Sequence, residues 1–121
     1  MSGSNWIRIG AIMAVITVGM GAFGAHALKG RLDEYAQGIY AKAVLYQMFH
    51  AMGILAVGIL MIVRQNSNLN IAGICFTLGI ILFSGSLYLL AISGVRWLGM
   101  ITPLGGVSFI VGWIWMFLKV D

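Results

Sequence analysis

The stretch AVLYQMFHAMGILAVGILMIV, residues 43–63, carries the strongest structural signal in the chain, because it runs for 21 residues without Asp, Glu, Lys or Arg. About 20 apolar residues in a helix cross a hydrocarbon core of roughly 30 Å. Three further apolar segments flank this stretch, at residues 6–27, 70–92 and 97–118. The sequence therefore predicts four membrane spans in a single domain that covers residues 1–121.

The composition excludes a soluble domain. Hydrophobic residues make up 61% of the chain and charged residues only 8%, whereas a soluble domain carries about 25% charge. The connections at residues 64–69 and 93–96 are short, so neighbouring spans must run antiparallel. The predicted fold is all-α, an integral membrane four-helix bundle whose principal partner is the lipid bilayer.

The net charge of +4 does not indicate a nucleic-acid partner. The seven basic residues are scattered and almost all flank apolar segments, as membrane anchors do. The single cysteine, Cys75, cannot form an internal disulfide or a paired-cysteine metal site. The sequence thus gives no reason to expect a metal ion or a cofactor.

The first connection differs from the others because it is long and periodic. Residues 32, 35, 36, 39, 40 and 43 are apolar or aromatic at helical spacing, and Asp33 and Glu34 precede them in the first turn. We predict an amphipathic helix at residues 32–42, lying at the membrane interface before the second span. A cap on the end of the bundle is the favoured role, and a surface for lipid or a partner is the alternative.

Small residues recur along the first and fourth spans. They are Gly10, Ala14, Thr17, Gly21 and Gly24 in the first, and Gly105, Ser108 and Gly112 in the fourth. Such stripes let neighbouring backbones approach closely, and they predict packing faces. Residues 19–24 also match GxGxxG, but this match lies inside a span and lacks the strand that a dinucleotide site needs.

Polar residues are concentrated in the half of the membrane next to the first and third connections. Together with Pro103 and Arg96, which lie close to them in the predicted fold, they are candidates for a polar pocket or network. The full set is His26, Tyr46, Gln47, His50, Ser84, Ser86, Tyr88, Arg96, Thr102 and Pro103. Polar groups are costly in lipid unless they are paired or face a cavity. A hydrogen-bonded network that holds the helices together and a pocket for a small ligand both remain open.

His50 is the central candidate. Its place in the second span predicts a depth of about 10 Å, with Tyr46 one turn away on the same face. We expect a neutral imidazole that faces the bundle interior, because no acid lies within a span. The candidate partners are Tyr46, Ser84, Ser86, Tyr88, Thr102 and His26, together with a backbone carbonyl that Pro103 would free at a kink.

Four stretches together resemble a known family: GAFGAHALKG (21–30), YQMFHAMG (46–53), LFSGSLYLL (82–90) and ITPLGGVSFIVGW (101–113). They are similar, in this order, to the domain-of-unknown-function 423 family, also called the transmembrane protein 256 family. The resemblance implies a small protein with about four spans in the bacterial plasma membrane. It implies no catalytic role, because the family has no settled activity.

Three functional hypotheses follow. The first is a non-enzymatic structural or accessory membrane factor with a buried polar network, in which a second copy or another membrane protein could be a partner. The second is a small transporter or channel that uses a polar pocket around His50, with an unidentified ligand. The third is an intramembrane enzyme or a carrier of haem held by His26 and His50. The only acids, Asp33, Glu34 and Asp121, lie outside the spans, which disfavours a multidrug exporter and a Ser/His/Asp triad.

The orientation in the membrane is not decided by charge. Arg8, Arg64 and Lys119 lie on the side of the termini, whereas Lys29, Arg31, Lys42 and Arg96 lie on the other. Three basic residues against four give no clear bias under the positive-inside rule. The family resemblance favours both termini in the cytoplasm.

Overall fold

The computed structural model describes residues 1–121, and they form helices and no strands. The α-helices are α1 (Gly3–His26), α2 (Glu34–Arg64), α3 (Asn70–Gly79), α4 (Gly85–Ser93) and α5 (Thr102–Lys119). A π-helical turn at Ile80–Ser84 joins α3 to α4, so that the two form one long rod. Short 3-10 helices at Ser67–Leu69 and Arg96–Met100 precede α3 and α5.

The predicted all-α architecture is confirmed. Four helical segments are long and apolar enough to cross a membrane: α1, α2, the α3–α4 rod with Ser67–Leu69, and α5 with Arg96–Met100. The second and third segments are central, because they bury a much larger share of their residues than the first and fourth do. α1 packs mainly along α2, and α5 packs mainly along α3.

The helix predicted at residues 32–42 is present, but it is not a separate element. α2 begins at Glu34, where the Asp33 carboxylate accepts a hydrogen bond of 2.8 Å from the Ala36 amide. The helix then continues without a break through the second span to Arg64. Neither a proline nor a second capping residue interrupts this stretch, so nothing in the sequence stops a helix once Asp33 has started it.

The main hydrophobic core lies between the central helices, α1 and α5. It consists of nine buried residues: Trp6, Ile54, Val57, Met61, Leu69, Ala72, Phe76, Ile80 and Phe109. A smaller cluster of Ala43, Leu87 and Leu90 lies near the first and third connections. The outer faces of the helices remain apolar and exposed, as expected of surfaces that meet lipid.

Glycines allow the closest helix contacts, as the small-residue stripes predicted. A Cβ added at Gly10 would lie 2.8 Å from the Leu55 side chain, and one at Gly112 would lie 2.7 Å from Phe76. A further close backbone contact lies outside the predicted stripes: a Cβ at Gly58 would lie 2.6 Å from the Gly3 carbonyl oxygen. Gly21 differs, because its nearest neighbour would be Val44 at 3.8 Å.

The backbone of the π-helical turn is wider than that of an α-helix, because one turn holds an extra residue. The Gly85 amide reaches back five residues and donates to the Ile80 carbonyl. Such turns shift the side chains that follow them around the helix axis. Ser84, at the end of the turn, is fully buried and donates its hydroxyl to the Ala43 carbonyl at 2.7 Å. This bond ties the middle of the third span to α2.

Candidate functional site

His50 lies inside the bundle, as predicted, with only 3% of its surface exposed. Its Nδ1 lies 2.8 Å from the carbonyl oxygen of Tyr46, one turn earlier on α2. Its Nε2 accepts a hydrogen bond of 3.0 Å from the indole N–H of Trp113 on α5. Both ring nitrogens are therefore paired, one within α2 and one across to α5.

These two partners determine which nitrogen of the imidazole carries the proton. The Trp113 indole can only donate, so Nε2 must be the unprotonated nitrogen, and the Tyr46 carbonyl can only accept, so Nδ1 carries the proton. This is the neutral imidazole with its proton on Nδ1. A second proton on Nε2 would face the Trp113 N–H, and the cross-helix bond would be lost.

Aromatic rings surround His50. The Phe109 ring stacks on the imidazole with centroids 3.5 Å apart, and the Phe76 and Trp113 rings lie at 5.6 and 5.8 Å. A groove of about 610 Å³ lies beside this stack between α2 and α5. Its lining residues are mostly apolar, so the surroundings of His50 are aromatic rather than the polar pocket that the sequence suggested.

Gln47 forms a second polar centre one turn before His50. It is 2% exposed, and its Oε1 accepts a hydrogen bond of 2.5 Å from the Tyr88 hydroxyl on α4. Its Nε2 donates to the Met13 carbonyl on α1 at 3.4 Å. The ring of Tyr88 meets that of Tyr40 edge-on at 5.2 Å, and the Tyr40 hydroxyl donates to the Met20 carbonyl. Gln47 thus connects three helices.

Ser84, Ser86 and Thr102 form further polar contacts between helices. Ser84 bonds to α2 through the Ala43 carbonyl. Ser86 pairs with the Thr102 hydroxyl at 2.6 Å, which joins α4 to the start of α5. No buried side-chain nitrogen or oxygen in residues 1–121 lacks a hydrogen-bond partner. The polar residues therefore form several small paired centres rather than one pocket.

Three predicted candidates lie apart from these centres. His26 is exposed at the end of α1, and Arg96 is exposed near the third connection, where its guanidinium lies 5.1 Å from the centre of the Tyr35 ring. Pro103 is exposed in the first turn of α5, where a backbone N–H has no partner within the helix in any case. The predicted kink and freed carbonyl at Pro103 were therefore wrong.

His50 lies further along its helix than the predicted start of the second span at residue 43 implied. Because α2 begins at Glu34 rather than at residue 43, His50 lies almost midway along the helix, about 24 Å from its first residue. Four side chains predicted as its partners bond elsewhere: Ser84, Ser86, Tyr88 and Thr102. Haem ligation by His26 and His50 is likewise unsupported, since both nitrogens of His50 are engaged and His26 lies at the end of α1.

The sequence reasoning missed Trp113, Tyr40 and the pair Trp6–Asn70. The Trp6 indole donates to the Asn70 side chain at 2.7 Å, in the half of the membrane that was expected to hold few polar groups. The indole N–H of each tryptophan could have indicated these bonds. A tryptophan in the interior of a bundle needs an acceptor, although its ring counts as hydrophobic in a composition.

Comparison with known proteins identifies the family. The family model described as "Protein of unknown function (DUF423)" matches residues 20–106, which include Gln47, His50 and Tyr88. The chain belongs to the DUF423 family. The resemblance inferred from four stretches of sequence is thereby confirmed, and no solved structure matches this DUF423 protein.

Curated relatives of this DUF423 protein come from Gram-positive bacteria. A UPF0382 membrane protein of Staphylococcus epidermidis is 49% identical over 109 residues, covering 90% of this chain and 88% of the relative. The UPF0382 membrane protein YwdK of Bacillus subtilis is 46% identical over 111 residues, covering 90% and 89%. Their names and the four apolar helices agree that this is a multi-pass membrane protein.

Proposed function

We propose that this DUF423 protein is a non-enzymatic structural or accessory factor of the bacterial plasma membrane. The observation that supports this proposal is that the buried polar side chains are all hydrogen-bonded. Most of these bonds join one helix to another, as at Trp113–His50, Tyr88–Gln47 and Ser84–Ala43. A catalytic or transporting group must be free to meet its substrate, whereas these groups are already used in holding the bundle together.

A transporter or channel that uses the surroundings of His50 is the second candidate. The observation in its favour is the groove of about 610 Å³ next to the His50 ring. Against it stand the paired nitrogens of His50 and the mostly apolar lining, which offers little to replace the water around an ion. A solute that used this groove would have to break the Trp113 bond.

Proteoliposomes distinguish the two candidates. The purified protein, reconstituted with a pH-sensitive dye inside the vesicles, is expected to give the same proton flux as protein-free vesicles. Trp113→Phe, which frees Nε2 of His50 while keeping a ring, is expected to lower the melting temperature without creating a flux. A flux in the wild type that is lost in His50→Ala, with the fold retained, would instead establish transport through the His50 groove.

For the orientation, we propose that both termini are cytoplasmic. Four spans place the two ends on the same side, and the comparison of three basic residues with four leaves the direction open. A C-terminal green fluorescent protein fusion is expected to fluoresce, and a C-terminal alkaline phosphatase fusion to be inactive. The reverse pattern would place the termini outside the cell.

A further inference from the structure

α1 and α2 diverge toward the first connection. At one end the backbones touch, since a Cβ on Gly58 would lie 2.6 Å from the Gly3 carbonyl oxygen. Near the other end a Cβ on Gly21 would lie 3.8 Å from Val44, its nearest neighbour, and a Cβ on Gly24 would meet the ring of Tyr40 rather than the backbone of α2. The two backbones therefore separate along their length, with the Tyr40 ring between them at that end, and a groove of about 580 Å³ opens beside it.

This groove is polar at its mouth and apolar along its length. Lys29 and Gln37 line it near the connection, and Leu45 and Met48 line it deeper along α2. Lys29 is the only charged residue among those that line it. Asp33 lies nearby in the chain but does not line the groove, and one of its carboxylate oxygens accepts a hydrogen bond from the Ala36 amide as the cap of α2.

The length of the groove matches one leaflet of a bilayer. Gln37 and Met48 are eleven residues apart on α2, which corresponds to about 16 Å along the helix axis. The hydrocarbon core is roughly 30 Å thick, so half of it is about 15 Å. A molecule that fills the groove must therefore have a head at the membrane surface and an apolar tail that reaches the midplane.

We propose that this groove binds one anionic glycerophospholipid, with its phosphate at Lys29 and one acyl chain along Leu45 and Met48. The positive charge of Lys29, with no carboxylate among the lining residues, selects an anionic head. The small side chains of Gly21 and Ala25 leave the room that the chain occupies. This proposal goes beyond the structural role argued above and does not depend on it.

The test measures lipid binding by the full-length protein in detergent, using native mass spectrometry. Phosphatidylglycerol is compared with phosphatidylcholine that carries the same acyl chains, and inorganic phosphate is added as a competitor. We expect phosphatidylglycerol to be retained in preference, and phosphate not to displace it. Equal retention of the two lipids, or displacement by phosphate alone, would overturn the proposal, the second outcome indicating a site for free phosphate.

Two variants locate the bound lipid. Lys29→Gln is expected to weaken phosphatidylglycerol binding about fivefold. Lys42→Gln is the matched control, since Lys42 is exposed near the same end of α2 but does not line the groove, and it is expected to change binding less than twofold. Equal losses in the two variants would show a general effect of surface charge and refute the site.

Gly21→Leu tests the place of the acyl chain independently of charge. The position has room for a Cβ, so the added leucine extends into the groove rather than into the backbone of α2. We expect the variant to keep its melting temperature in detergent and to lose most of its bound phosphatidylglycerol. Full retention of the lipid in the folded variant would exclude the groove, and if the variant does not fold, the comparison of Lys29 with Lys42 still decides.

Discussion

Trp113 contributes to the His50 site in two ways. Its ring packs against Phe76, and its indole N–H donates to the imidazole of His50. His50 itself has no other donor for Nε2. The bond is thus the single polar link between the middle of α2 and α5. Hydrogen bonds between membrane helices contribute about 0.6 kcal/mol on average and up to about 1.7 kcal/mol.

Replacing Trp113 with phenylalanine should therefore lower the free energy of unfolding by about 1–2 kcal/mol. The change removes the N–H and leaves a buried acceptor on His50 without its donor, while most of the aromatic packing remains. Trp97→Phe is the control, because Trp97 is 62% exposed and its loss should have little effect. Unfolding in mixed detergent micelles, followed by circular dichroism, measures both, and equal effects would contradict this role of Trp113.

His50→Ala should cost more, about 2–4 kcal/mol, because it removes the ring that stacks on Phe109 and leaves the Trp113 N–H unpaired. The double variant with Trp113→Phe provides the check. If the two side chains act through their mutual bond, the double variant should be less destabilised than the sum of the single variants. A strictly additive result would show that the bond contributes nothing.

For single residues, the sequence predicted which polar side chains are buried better than it predicted their hydrogen-bond partners. His50, Gln47 and Ser84 were recognised because a polar side chain in a span must be paired. Which partner each one takes depends on how far a helix is rotated and where it begins. Those two quantities are set by the packing of whole helices, and hydropathy does not contain them.

The contact between α1 and α2 shows what glycine contributes to a helix pair. Gly3 and Gly58 face one another so closely that neither can carry a Cβ without moving the other backbone. Gly19, on the same helix as Gly3, has nothing within 4 Å of an added Cβ. The two kinds of position look alike in the sequence and differ only in the structure.

Alanine substitutions distinguish a glycine in the helix contact from a glycine that faces open space. Gly58→Ala is expected to lower the free energy of unfolding by about 1–3 kcal/mol, because the added methyl group must push α1 away. Gly19→Ala should leave stability unchanged or raise it slightly, since alanine favours a helix more than glycine does. Thermal unfolding in one detergent compares them directly. A loss in Gly19→Ala equal to that in Gly58→Ala would contradict the assignment of the contact face.

The π-helical turn determines which face α4 presents to α2. Removing Ile81, which is 57% exposed, takes out the one residue that this turn holds in excess of an α-helix, so the rod should become α-helical while α4 keeps the same face toward α2. Tyr88 should then still donate to Gln47, and the melting temperature should change little. Removing Ile59, which is 52% exposed on α2 and has no wide turn beside it, should rotate the residues that follow by about 100° and lower the melting temperature. Equal losses in the two deletion variants would count against this role of the turn.

Over the whole molecule, the number and type of elements followed from hydropathy because a bilayer leaves few choices. The sequence predicted four spans, and the structure has four long helical segments joined by three connections. The boundary of α2 was less accessible. An amphipathic segment next to a span has the same pattern whether it lies along the interface or continues the helix, and only the absence of a break at residues 41–43 distinguishes the two.

The pairing of α1 with α2 also bears on how the chain is made. Two close contacts between these helices, Gly3 with Gly58 and Gly10 with Leu55, lie entirely in the first half of the sequence. During synthesis these two helices leave the ribosome before α5 exists, so they can enter the bilayer already joined as a hairpin. The bond from Trp6 to Asn70 then gives the next helix a fixed place to dock. The order of residues along the chain is in this way also an order of assembly.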